Sequence, residues 1–262
     1  MSVTQQIKLT DRTDAGDGPR LLVEARDLER KFKSYHAVRG VSFQCYAGEV
    51  FGLLGPNGAG KTTTIRMLTT ILKPTSGTAR IAGHDVATEA EAVRRSIGVL
   101  PENAGVYGRL TGREAIRYAG RLYSLPPDEL EPRIVEIADA LELTKHLDRL
   151  TDTYSKGMKQ KVNVARALIH NPPVVFLDEP TSGLDVFSAH SVRDFVLRFK
   201  AEGRCVILST HMMEEAERLC DRVAIIGGGR IRAEGRLAEL KAETGKDLEE
   251  IFMTMVGQSI VT

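Results

Sequence analysis

Gly55-Pro56-Asn57-Gly58-Ala59-Gly60-Lys61-Thr62 fits the pattern G-x-x-x-x-G-K-[ST]. Its glycines let the backbone wrap an anion and turn N–H groups inward. A strand-like stretch, Glu49–Leu54, leads into it, and a helical pattern from Lys61 to about Leu72 leads out. A helix starting at Lys61 presents its positive end to the same anion. Gly55 to Thr62, with Thr63, therefore read as a loop that cradles nucleotide phosphates. Lys61 reaches the outer phosphates and the Thr62 hydroxyl takes Mg²⁺.

Working outward, Val174-Val175-Phe176-Leu177-Asp178-Glu179 is an apolar strand ending in two acids. In nucleotide sites built on such loops, an Asp at a strand end holds Mg²⁺, which assigns Asp178. Glu179 is placed to orient or deprotonate an attacking water. Ser209-Thr210-His211 closes another strand, Cys205–Ser209, and puts a histidine at the carboxyl end of a core strand, where such sheets bind ligands.

Strands Leu21–Leu28, Val41–Cys45, Thr78–Ile81, Ile97–Leu100 and Arg222–Ile226 complete the pattern, with helices over about 186–202 and 212–219. The continuous apolar run Val174–Leu177 marks a strand buried on both faces. Strands alternating with helices predict a parallel sheet in an α/β fold. From Thr111 to about His170 the period turns helical, which predicts a helical insert at about 103–170. Residues 1–20 read as a polar mobile tail, 21–235 as the nucleotide-binding domain, and 236–262 as a short helical extension.

The 262 residues carry 36 Lys+Arg against 35 Asp+Glu, a net charge of +1 that gives no case for nucleic acid. Apolar residues make up 42% and charged residues 27%, ordinary globular usage that excludes collagen-like or wholly disordered chains. Cys45, Cys205 and Cys220 never form a C-x-x-C pair and read as reduced core thiols of a cytosolic protein. No run approaches the roughly 18 apolar residues of a membrane helix. The N-terminus lacks the apolar core of a secretory signal, so a role at a membrane requires another protein to hold the chain there.

Tyr154-Ser155-Lys156-Gly157-Met158-Lys159-Gln160 is by itself a Ser-capped helix start. Together with the phosphate loop, Asp178-Glu179-Pro180-Thr181-Ser182-Gly183-Leu184-Asp185 and Ser209-Thr210-His211, it resembles the ATP-binding cassette (ABC) family of transporter ATPases, in the family's order and over about residues 21–256. Tyr107-Gly108-Arg109-Leu110-Thr111, His211 to Ala216 and Leu248 to Phe252 resemble NatA-type subunits, associated with export that includes sodium extrusion. The resemblance implies a mainly parallel core sheet with an N-terminal antiparallel β subdomain. It implies ATP and Mg²⁺ as ligands, a separate transmembrane permease as partner, and a peripheral place on the cytoplasmic face of the membrane. A second copy of the chain would close head-to-tail, so that Ser155, Lys156, Gly157 and Met158 face the partner's ATP. Asp185 would be the D-loop acid and His211 the switch histidine at the γ-phosphate. Phe32 would stack on adenine, with Tyr35 the competitor.

Departures from the family pattern are confined to a few positions. Tyr154, Lys156 and Met158 stand where the signature usually has Leu, Gly and Gln, while Ser155 and Gly157 keep the phosphate contact. Glu102, in Val99-Leu100-Pro101-Glu102-Asn103, replaces the Q-loop Gln and either faces the metal or points to solvent. An importer ATPase, a soluble cassette protein acting on DNA or ribosomes, and a nucleotide-gated module without hydrolysis are the alternative readings. One phosphate loop in a chain of this length, with Lys61, Asp178, Glu179 and His211 all present, weighs against the last two.

Overall fold

The computed structural model describes residues 18–257. The polar tail expected at 1–20 lies outside them up to residue 17, as does the end of the C-terminal extension. The described chain opens with a hairpin, β1 (Leu21–Phe32) and β2 (Tyr35–Tyr46), turned at Lys33 with φ +47°. Both strands run well past the apolar stretches read from sequence, because their outer ends are half-exposed and polar. β3 (Val50–Leu54) leads to α1 (Lys61–Leu68). That helix stops short of Leu72 because Thr70 turns left-handed at φ +62°. β4 (Ser76–Ile81) and β5 (His84–Asp85) follow, joined at Ala82-Gly83.

Next come a short α2 (Ala90–Arg95), in which Val93 alone is buried so that the sequence shows no helical period, and β6 (Ile97–Leu100). Between β6 and β7 (Val174–Asp178) lie three α-helices, α3 (Gly112–Leu122), α4 (Pro127–Ala140) and α5 (Lys156–Leu168), with two short 3-10 turns at Thr144–His146 and Thr151–Thr153. α3 starts where the T-x-x-E pattern places it: Thr111 Oγ1 accepts from Glu114 N, and the Glu114 carboxylate accepts from Thr111 N. The chain ends with α6 (Val186–Ala201), β8 (Cys205–Thr210), α7 (Met213–Leu219), β9 (Arg222–Gly227), β10 (Arg230–Arg236), α8 (Leu237–Thr244) and α9 (Leu248–Gly257). The expected C-terminal helix is thus two, parted at Gly245 with φ +65°. β10 went unread because it is an edge strand carrying Arg230, Arg232, Glu234 and Arg236, which resembles a loop in sequence and protects the edge in the fold.

Two sheets form, one ordered β10-β9-β3-β8-β7-β6 and one β2-β1-β4-β5. The first is parallel except for β10, and the second is antiparallel. Alternation along the buried strands sends side chains to two cores. Val175, Leu177, Val206, Leu208, Val223 and Ile225 pack towards the helical side. Phe176, Ile207, Ala224 and Ile226 pack towards α1 and the antiparallel sheet. Phe43 and Phe51 stack at 5.1 Å between ring centroids and join the two sheets. The three thiols are free and buried, and burial pushes the Cys45 and Cys220 thiols up.

Candidate functional site

The carboxyl ends of β3, β8 and β7 stand side by side, since β8 pairs in parallel with both neighbours. Each strand delivers one part of the site there. β3 is buried throughout and runs straight into the glycine loop. A Cβ on Gly55 would stand 2.5 Å from the Ile226 carbonyl oxygen, and one on Gly60 2.8 Å from that of Ala37. Gly60 also has φ +111°, so the loop can lie this close to β9 and β2 only with glycine at both positions. The β9–β10 turn braces it: Gly229 N donates to Ala59 O at 3.0 Å, and Arg39 N donates to Gly229 O at 2.8 Å.

The Lys61 ammonium is buried and donates to the carbonyls of Gly55 at 2.6 Å and Pro56 at 3.3 Å. Burial lowers its pKa, against the pull of Glu179, Asp178 and Glu102. Thr62 Oγ1 donates to Asp178 Oδ2 at 3.0 Å, and the Ser209 hydroxyl donates to Asp178 Oδ1. Glu179 N donates to Ser209 O at 2.9 Å, which seats the acid beside β8. Glu179 is buried at φ +51°, a left-handed conformation that costs a non-glycine residue about 1–3 kcal/mol and persists only where surroundings enforce it. Its Oε1 lies 2.8 Å from His211 Nδ1 and 4.0 Å from Lys61 Nζ. Its Oε2 accepts from Thr210 Oγ1 at 3.4 Å. Lysine, hydroxyl, two carboxylates and imidazole thus converge on one strip of strand ends.

Among the described residues no three His, Cys, Asp or Glu side chains converge as a metal cage. Mg²⁺ needs none, because one or two protein oxygens suffice when phosphates supply others. Thr62 Oγ1 and Asp178 are hard oxygen donors at hydrogen-bond distance, a set that fits this ion. Glu102 lies two residues beyond β6, exposed, and acts electrostatically on Lys61.

Phe32 and Tyr35 face each other across the hairpin turn. The Tyr35 hydroxyl donates to Gly58 O at 3.3 Å, whereas the Arg30 guanidinium lies over the Phe32 ring at 4.6 Å. Ser155 to Met158 and Asp185 form a separate cluster at the starts of α5 and α6. Ser155 caps α5 by accepting from Met158 N at 3.2 Å, and Asp185 caps α6 through Ser188 N at 2.9 Å. Lys156 Nζ donates to Ser182 O at 3.1 Å. Gly157 is a close approach, since a Cβ there would meet Ser188 Oγ at 2.0 Å. Ser209, Thr210, Thr181 and Glu215 also belong to the network around the acids, and only the strand register shows it.

The family model described as "ABC transporter" matches residues 38–182. ABC transporter ATP-binding protein NatA of Bacillus subtilis is 40% identical over 90% of this chain and 97% of that protein. Daunorubicin/doxorubicin resistance ATP-binding protein DrrA of Streptomyces peucetius is 42% identical over 88% of this chain and 70% of its own length. A solved ATP-binding subunit of an ABC transporter superimposes with TM-score 0.82 at 34% identity, over 89% of this chain and 99% of that one. An ATP-binding cassette of an ABC transporter in its ADP conformation gives 0.77 at 25% identity, over 89% and 98%. The motif order, the strand-end site and these matches make one assignment: the chain belongs to the ABC transporter family, as an ATP-binding subunit that hydrolyses ATP to drive transport.

Proposed function

We propose that the subunit powers export through a separate transmembrane permease, working as half of a head-to-tail pair with two ATP molecules between the halves. The observation that carries this reading is the split of the machinery into two clusters on one chain. Lys61, Thr62, Asp178, Glu179 and His211 share three adjacent strand ends, while Ser155 to Met158 sit at the start of α5 beside Asp185. A second copy supplies the missing half of each site. Val186 and Phe187, directly after Asp185, are 77% and 86% exposed, an apolar pair suited to burial against that copy.

Within a site, the loop N–H groups and Lys61 bind the phosphates, and Phe32 stacks on adenine while Tyr35 braces the loop. Thr62 and Asp178 would hold Mg²⁺, with Glu102 as a further carboxylate for it. The ion, when bound, neutralises phosphate charge as the terminal phosphoryl group leaves. Glu179 accepts the proton of the attacking water, and His211 orients Glu179 and reaches the γ-phosphate. Ser155 and the N–H groups opening α5 close on the partner's nucleotide.

Among the described residues no helix is long and apolar enough to cross a membrane. Docking on a permease places the subunit peripherally on the cytoplasmic face, and the permease sets the cargo. Relatives named for export or resistance, among them Nod factor export ATP-binding protein I of Burkholderia lata at 38% identity, support the outward direction. Sodium and anthracyclines are the cargoes to test. Affinity capture of the tagged chain from solubilised membranes should retain a polytopic partner. Reconstituted inside-out vesicles should then accumulate one of these cargoes with ATP. Capture without a membrane protein, or uptake only in right-side-out vesicles, would overturn the reading.

A further inference from the structure

Glu215, on α7, is a buried carboxyl that the proposed mechanism leaves unused; it is 2% exposed. Its Oε1 accepts from the Thr181 hydroxyl, and its Oε2 is buried with no hydrogen-bond partner. The Thr210 hydroxyl is a further polar neighbour of the carboxyl, and the Arg193 charge acts on it weakly, against the effect of burial. Thr210 in turn donates to Glu179 Oε2 at 3.4 Å and accepts from Met212 N at 3.0 Å. Glu215 thus touches the segment that follows Glu179, through Thr181, and the strand end that precedes His211, through Thr210. Helix α7 carries it up against both.

Two carboxyl groups close together in a buried place do not both ionise readily. Glu179 has Lys61 and His211 beside it. Glu215 has hydroxyl neighbours, and burial foremost, with the charge of Glu179 adding to it, raises its pKa. A proton on Glu215 would let the lone oxygen pair with the Thr210 hydroxyl. The carboxyl becomes an O–H donor, and a hydroxyl can accept two hydrogen bonds while donating one. Thr210 can then accept from Glu215 and Met212 N and commit its own hydrogen to Glu179.

We propose that Glu215 is a positioning residue for hydrolysis, pinning Thr181 and Thr210 by hydrogen bonds and, through Thr210, the carboxylate of Glu179. This rests on Glu179 as the hydrolytic base. A small displacement of a reacting group can cost on the order of a hundredfold in rate, so the effect belongs in kcat and not in ATP affinity.

The test uses the full chain and Mg-ATP. In Glu215→Met, which keeps length and removes hydrogen bonding, kcat should fall about tenfold or more while KM for ATP stays within about twofold. Thermal stability should fall only in part, because the Thr181 hydroxyl loses its acceptor while apolar volume is kept, so kcat is read at a temperature where the variant is folded. Glu215→Gln, neutral and able to donate and accept, should keep kcat within about threefold of wild type. Thr210→Val should repeat the loss with Glu215 intact, and it decides the matter if Glu215→Met does not fold. Wild-type kcat in Glu215→Met or Thr210→Val overturns the proposal, as does a fall in Glu215→Gln equal to that in Glu215→Met. Glu179→Gln, run alongside, separates the two readings. Full turnover there removes the base itself, whereas loss there without loss in Glu215→Met or Thr210→Val removes only the role of Glu215.

Discussion

His211 Nδ1 lies 2.8 Å from Glu179 Oε1, although the two residues leave the ends of different strands, β8 and β7. The imidazole, the Thr210 hydroxyl and the left-handed backbone of Glu179 aim one carboxylate into the strip beside Lys61. Glu179→Gln keeps the shape and loses the base. It should bind Mg-ATP as wild type does and lose about 10²–10⁴-fold in turnover, the usual contribution of a positioned base. Equilibrium ATP binding and steady-state phosphate release on the purified variant check both halves, and turnover near wild type would take Glu179 out of the chemistry.

The same variant tests the pairing of two chains. In the proposed pair, ATP between one chain's Lys61 and the other's Ser155 would have no route to leave as product without hydrolysis. Glu179→Gln should therefore be monomeric without nucleotide and double its mass at millimolar Mg-ATP. Light scattering reads this directly. Phe187→Glu in that background should abolish the shift by putting a charge on the exposed apolar pair beside Asp185. An ATP-dependent dimer that tolerates Phe187→Glu would move the contact elsewhere.

Much of this site was legible before any fold was known, and the reason is local. Gly55 to Thr62 and Asp178-Glu179 are contiguous, and each carries its chemistry in residue type and spacing alone. Ser209, Thr181 and Glu215 give no such signal. Their partners lie 31 to 34 residues away, and strand register and the docking of α7 bring them into contact. The core strands were readable because burial on both faces demands unbroken apolar runs. β10 and the outer ends of β1 and β2 were not, since a half-exposed edge is written in charged residues as loops are.

Gly157 reports on the second cluster. An alanine Cβ there would stand 2.0 Å from Ser188 Oγ and 2.6 Å from Ser188 Cβ, so α5 and α6 must part. Gly157→Ala should lower turnover about tenfold or more by misplacing Ser155 against the partner's nucleotide. The chain's own affinity for ATP should stay unchanged, since Lys61 and Thr62 are untouched. Adding Ser188→Gly removes both clashing atoms and should restore most of the rate. ATPase assays of the single and double variants decide it, and an active single variant would show that the helix starts are not held this closely in the working pair.

His170 ties the helical segment to the sheet. Its ring stacks on Tyr123 at 3.5 Å, and Nε2 donates to Ile97 O at 2.9 Å, which leaves Nδ1 buried without a partner. Burial holds its pKa down at about 4, against an ordinary 6.5. The unfolded chain therefore binds the proton first as pH falls. Stability is fully present above about pH 6.5 and is lost down through pH 4, by on the order of 3 kcal/mol. The urea midpoint should fall more steeply between pH 7 and pH 4.5 for wild type than for His170→Gln, in which this titration is gone. Parallel pH dependences would show that His170 is solvated enough to charge in the folded state.

By the family resemblance Glu102 would stand where a neutral amide is usual, and its charge acts on Lys61 across the strand ends. An amide offers a metal one carbonyl oxygen and can also donate to a neighbour, whereas a carboxylate only accepts and is the harder, charged ligand. Beside nucleotide phosphates, a carboxylate is repelled unless a cation lies between the two. Glu102 should thus make the site depend more strongly on Mg²⁺ and bind metal-free ATP poorly. Glu102→Gln is expected to leave Mg-ATP affinity within about twofold, to shift the Mg²⁺ concentration for half-maximal hydrolysis, and to strengthen binding of ATP in EDTA. Its effect on stimulation by the membrane partner should exceed its effect on affinity, because the segment that carries it enters the helices between β6 and β7. ATPase activity titrated with Mg²⁺ for both forms, with and without the partner, together with ATP binding in EDTA, measures each of these. Superimposable curves throughout would mean that Glu102 faces solvent and that the substitution does not bear on the metal.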